Sequence, residues 1–172
     1  MVKITMMKKY ASNILIYISA LLGIISFICL FAAPLQCKDI FKNTWVNVNV
    51  IKVYLGETQD GVVVTKSAVL PIFGFVIPFL MSIFLIIESF KPKLNARLAF
   101  INTVIAVFFL ACAVLVLLTK EIYLSVNELG DTNELRNGVG PVTAGICNTL
   151  AAIILLVVTY MPGQRNIDFI EK

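Results

Sequence analysis

Residues 98–119 read LAFINTVIAVFFLACAVLVLLT, a run without a single acid or base. At ~1.5 Å of rise per residue, such a run covers the ~30 Å hydrocarbon core of a bilayer. Three more runs share the property, at residues 13–33, 68–87 and 142–161, with no ionisable group other than cysteine or tyrosine. Cores of water-soluble proteins are built from amphipathic stripes, and four unbroken apolar spans are not of that kind. The reading is a polytopic membrane protein with the lipid bilayer as its solvent.

The rest of the composition fits. Hydrophobic residues make up 59% of the 172 and charged residues only 14%, so little chain remains for a separate soluble domain. One domain over residues 1–172 is expected. The formal charge of +4 marks no nucleic-acid surface, because the basic residues sit at helix ends and do not gather on one face.

Orientation follows from lysine and arginine. Lys3, Lys8 and Lys9 precede the first span, and Lys91, Lys93 and Arg97 crowd the second connection. By the positive-inside rule both segments, and hence both termini, are expected in the cytoplasm. The third connection carries Glu121, Glu128, Asp131 and Glu134 against Lys120 and Arg136, and is expected outside. The first span is too long for a signal-peptide core of roughly 7–15 residues, and it is expected to be retained. The expected location is a multi-pass position in the plasma membrane.

The first loop has strand character. Val46, Val48 and Val50 alternate with Asn47 and Asn49, then the phase shifts and Ile51, Val53 and Leu55 become the apolar set. A one-residue shift inside a strand is what a bulge produces. With Val62 to Thr65 as the returning strand, a hairpin over residues 44–66 is expected. In the other loop Ile122, Leu124 and Val126 also alternate with polar neighbours, and they are read as a third strand, against the alternative that they end a long helix. The expected fold is thus an all-α integral membrane bundle of four transmembrane helices. It carries a small extracytoplasmic antiparallel sheet from loops one and three.

This layout resembles the claudin and peripheral-myelin-protein group of tetraspan proteins, which share four helices, inside termini and a strand-bearing first outer loop. Trp45 near the start of the loop strand adds to the resemblance. That family places Gly-Leu-Trp and two cysteines in this loop. Here Val46-Asn47-Val48 follow Trp45, and Cys37 is the loop's one cysteine, so no functional residue carries over.

Chemistry is poorly provided for. The chain has no histidine, which removes the usual general base and the commonest metal ligand. Cys29, Cys37, Cys112 and Cys147 are too scattered for a Cys-x-x-Cys pair, and no phosphate loop or nucleophile elbow occurs. No catalytic residue, metal or cofactor is assigned, and a non-enzymatic protein is expected. Glu88 lies beside Lys91 and Lys93 at the cytoplasmic end and reads as part of an interfacial ion pair.

Packing seams are clearer. Gly140, Ala144, Asn148 and Ala152 recur every fourth residue in the last span, and small residues so spaced let helices approach closely. Pro78 cannot donate to the carbonyl of Gly74, and Asn148 is expected to cap it. Ser19 and Gly23, with Ser26, form a second small-residue face. The leading function is a scaffold that binds a partner, another copy or a second membrane protein, through Trp45, Val46, Val48, Val50, Ile51 and Val53. The alternative is a transporter or channel component with a path lined by Asn148, Ser82 and Ser19 between proline-broken helices.

Overall fold

The structure is a computed structural model that describes residues 2–39, 41–59, 62–90, 95–130 and 134–160. Lys91 and Lys93, Asp60 and Gly61, Asp131 and the tail from Pro162 lie outside the described residues. Four helices are long and apolar enough to cross a membrane: α1 (Val2–Ile28), α3 (Leu70–Ser89), α4 (Asn95–Leu117) and α6 (Val139–Tyr160). Their apolar windows fall at residues 12–31, 70–89, 99–117 and 139–160, close to the four runs in the sequence. Each of α1 and α4 touches both α3 and α6, so the helices follow one another around a ring. The first and third connections therefore emerge at the same end.

Small side chains let the ring close. A Cβ added at Gly23 of α1 would overlap Ser82 Oγ of α3, and one at Gly74 would come 2.6 Å from Val116 Cγ1 of α4. Ser19, Ser82, Ala144, Asn148 and Ala152 have no exposed surface, and Gly140 and Pro78 are buried beside them. Ser19 Oγ donates to Leu15 O at 3.1 Å and Ser82 Oγ to Pro78 O at 2.7 Å, so both hydroxyls are spent within their own helices. Asn148 behaves differently. Its Nδ2 donates to Gly74 O at 3.3 Å, the carbonyl that Pro78 leaves without its helical donor. Because α3 and α6 sit diagonally opposite, this bond spans the interior.

The loops at the shared end build a cap with two sheets. Strands β1 (Leu35–Asp39), β2 (Thr44–Asn47) and β5 (Leu135–Asn137) form an antiparallel sheet in the order β2-β1-β5. Both loops thus contribute to one sheet, with Gln36 opposite Asn47 on one side and Arg136 on the other. Strands β3 (Glu57–Gln59) and β4 (Val62–Thr65) pair separately, with a register shift between Glu57 and Thr58.

Two expected strands are helices. Residues Val50–Leu55 form α2, so the single hairpin over 44–66 is replaced by two ladders flanking a helical turn. Asn49 is extended and its side chain accepts from Ile51 N, while Gly56 ends the helix at φ +79°. A side chain there would be strained, and its Cβ would lie 2.6 Å from Thr65 O. The phase shift after Val50 is therefore the change from a two-residue to a 3.6-residue period, with Val53 and Tyr54 turned inward. Residues Thr119–Val126 form α5 in place of the third strand. Leu118 N donates to Val114 O and Ile122 N to Leu118 O, so α5 grows directly from α4. Extending an existing helix needs no new nucleus, which favours it over a fresh strand.

Two buried clusters result. One joins Ile16, Leu85, Ile105, Phe109 and Leu155 in the bundle. The other joins Leu35, Val53 and Tyr54 of the cap to Phe75, Val116 and Ala144. Replacing Asn148 by Leu removes the donor to Gly74 O, and ~0.6–2 kcal/mol of stability should go with it. A thermal melt of the full chain in detergent checks this, with an unchanged midpoint as the contrary result.

Candidate interaction site

The exposed face of the cap is built on β1. Its residues alternate, with Leu35 facing the bundle at no exposure and Gln36 and Lys38 on the other side. On that outer side Gln36 Nε2 donates to Asn47 Oδ1 at 2.9 Å, and Arg136 Nε donates to Gln36 Oε1 at 2.9 Å. The Arg136 guanidinium also stacks 4.0 Å from the centre of the Trp45 ring. Arg136 thus bridges β5, β1 and β2, and Trp45 is half-buried beneath it.

The β1–β2 turn is held from below. Asp39 Oδ1 accepts from Phe41 N at 2.9 Å and from Lys42 N at 3.2 Å, and Asn43 takes φ +50°. Short acceptors that bond their own backbone two residues on make compact turns. The turn presents Phe41 with 100% of its surface exposed. Beyond β1, strand β2 pairs with no further strand among the described residues, so one edge of it is open, with Val46 at 52% exposure.

A cleft of about 260 Å³ lies between this sheet and α5. Val48, Leu124, Leu129 and Leu135 line it, and Cys37, Tyr123 and Glu134 supply its polar atoms. The Tyr123 phenol is pushed above its ordinary range, first by burial and then by the neighbouring Cys37 thiol and Glu57 carboxylate. Lys66 Nζ pairs with Glu128 Oε1, and Lys66 N donates to Asn127 Oδ1 at 2.7 Å, which ties the first loop to the end of α5. Lys66 draws the Glu128 carboxyl below its usual range, by hydrogen bond and by charge.

The residues expected to form one contact surface separate in space. Trp45 and Val46 lie on β2, and Ile51 is 62% exposed on α2. Val48 and Val50 are half-buried against the cap core, and Val53 is fully buried within it. Val53 cannot meet a partner, because its inward position comes with the helical period of α2. Phe41 was not expected. Its signal is an aromatic residue set among the turn formers Asp39, Lys42 and Asn43. Cys29, Cys37, Cys112 and Cys147 are all free thiols. Among the described residues no group of three or more Cys, Asp or Glu is placed to hold a metal.

Comparison with family models, with curated proteins and with solved structures yields no match. Arg136→Ala removes both the ring contact and the Gln36 bond, and should loosen the cap by about 1 kcal/mol. Trp45 is the one tryptophan, so intrinsic emission reports the cap alone. The emission should move to longer wavelength; an unmoved spectrum would contradict the stacking.

Proposed function

We propose that this chain is a non-enzymatic integral membrane protein that binds a protein partner through its cap. In this reading the four apolar helices cross the bilayer, the cap stands on the extracytoplasmic side of the plasma membrane, and both termini are cytoplasmic. Three basic residues in the short second connection, against Glu121, Glu128, Asp131 and Glu134 with two basic residues in the third, support that orientation. The four lysines of the first loop, Lys38, Lys42, Lys52 and Lys66, are only partly balanced by Asp39, Glu57 and Asp60. The resemblance in layout to claudin-type tetraspan proteins carries the same expectation.

Phe41 carries the proposal. A fully exposed aromatic on a braced turn is costly to leave in water, and aromatic residues, Phe among them, are enriched at interfaces. Beside it the open edge of β2 offers backbone donors and acceptors to an added strand, and Val46 offers burial. The transport alternative finds less support. Ser19, Ser82 and Asn148, the groups that would line a path, have no exposed surface, and the two serines bond their own backbones.

The variant Phe41→Asp/Val46→Asp tests the reading in native membranes. Solubilised in mild detergent and run on a native gel, the wild-type chain should migrate as a complex and the variant as the single chain. Their melting midpoints should agree within a few degrees. Equal migration of the two proteins would overturn the reading.

A further inference from the structure

The outward face of the β2-β1-β5 sheet carries cations that no acid of the chain pairs with, and we infer that its partner presents an acidic, extended segment. That segment belongs to a different protein and lies along the open edge of β2 as a further strand. The inference names the chemistry of the partner proposed above and rests on that reading.

Charge in the cap is distributed unevenly. Lys52 pairs with Glu57 at 2.7 Å and Lys66 pairs with Glu128, so both lysines are neutralised where they stand. Lys38, Lys42 and Arg136 are exposed and form no ion pair among the described residues. Register sets Lys38 opposite Trp45 and Arg136 opposite Gln36, so both cations project from the same face as the indole ring. Lys42 stands beside Phe41 in the turn. Asp39, the acid between the two lysines, accepts from the turn's own backbone. Glu134 neighbours Lys38, whose N donates to the Glu134 carbonyl at 2.7 Å, but its carboxylate pairs with none of the three cations.

Arg136 gives this face its direction. It starts on β5, yet its guanidinium lies 4.0 Å from the centre of the Trp45 ring, two strands away on the open edge. Its Nε donates to Gln36 Oε1, and its two Nη atoms make no bond among the described residues. A guanidinium stacked and held in this way keeps its outer N–H groups in one plane, the geometry that takes a carboxylate through two parallel bonds. A strand added beside β2 sets alternate side chains on this face, next to Trp45. Acids at those positions meet the Arg136 fork, with Lys38 one strand further in and Lys42 at the turn.

A second copy of this chain offers no such segment among the described residues. Glu57 and Glu128 are paired, Asp39 holds its turn, Glu121 lies on helix α5, and Glu134 already has a partner. Complementary charge fixes register and rejects wrong partners, so the unpaired cations select an acidic strand from another polypeptide.

A water-soluble carbodiimide reads the contact directly. It condenses a lysine amine with a carboxylate that touches it, forming an amide while the reagent takes up the water. Applied to native membranes and followed by peptide mapping, it should join Lys38 or Lys42 to an Asp or Glu of a different protein. Lys52 with Glu57, and Lys66 with Glu128, should give links within the chain, which shows that the reagent has acted. Links from Lys38 and Lys42 only to acids of this same sequence, or to none, would overturn the inference.

Charge reversal supplies a second measurement. On a native gel Lys38→Glu/Lys42→Glu should lose the complex, with a melting midpoint within a few degrees of wild type. If that variant keeps the complex while Phe41→Asp/Val46→Asp loses it, the inference falls and association through the cap stands. If neither variant alters migration, both fall. Where the reversed chain melts early, the carbodiimide map alone decides.

Discussion

A helix that is apolar around its whole circumference is stable only where its surroundings are apolar too. α3 and α4 come close to this within their uncharged spans: apart from inward polar groups such as Ser82 and Asn102 their side chains are apolar, and Phe73, Leu80 and Ile87 of one and Phe100, Val107 and Val114 of the other face outward. In the proposed bilayer, lipid would solvate such surfaces but offer nothing to a backbone N–H or C=O, so the helix would have to satisfy its own. The constraint explains the treatment of Pro78. The carbonyl it leaves open at Gly74 cannot turn to water, and an amide from the opposite helix comes to it. If the proposed bilayer surrounds the bundle, packing helix on helix brings no hydrophobic gain, and close approach through Gly23, Gly74 and Ala144 supplies the contact instead.

The cap follows from the same arrangement. Neither loop is long enough to bury a core of its own. Joined, they bury Leu35, Val53 and Tyr54 on the bundle's end against Phe75 and Val116. Burial pushes the Tyr54 phenol well above its usual range, with the nearby Thr119 hydroxyl pulling slightly the other way. The zipper of Gly138 N to Pro34 O and Gly140 N to Ala33 O fixes the two loops at their roots. On that footing β1 can sit between strands from both loops and hold the Asp39 turn out from the surface. The proposed partner contact thus depends on how firmly the cap is seated, and that in turn on the helices beneath.

How much of this could be read in the sequence differs by length scale. The four helices were plain, since an uncharged run of that length has few alternatives. The Asn148–Gly74 contact followed from one proline and one amide at matching depth. The cap was harder. Alternation at Val46 to Leu55 hid the helical signals that were also present, Asn49 as a cap and Gly56 as a stop. Strand β1, Leu-Gln-Cys-Lys-Asp, has no strand pattern of its own, because it lies between two partners, the neighbouring β2 and a segment about a hundred residues on. Residues Ile122 to Val126 carried an alternating pattern, but continuity with α4 decided their form. Phe41 gave little warning, because exposure is a property of the turn and not of the residue. Function remains the least legible part, with no chemistry-bearing motif to anchor it.

Side-selective labelling asks most directly whether lipid is the solvent and whether both loops share one face. In a background with Cys37 replaced by serine, single cysteines are placed at Thr58 and Gly130 in the cap and at Phe90 at the opposite end. A membrane-impermeant maleimide applied to intact cells should modify positions 58 and 130, and position 90 only after permeabilisation. Labelling of 58 and 130 from different sides, or of all three at once in intact cells, would contradict the account.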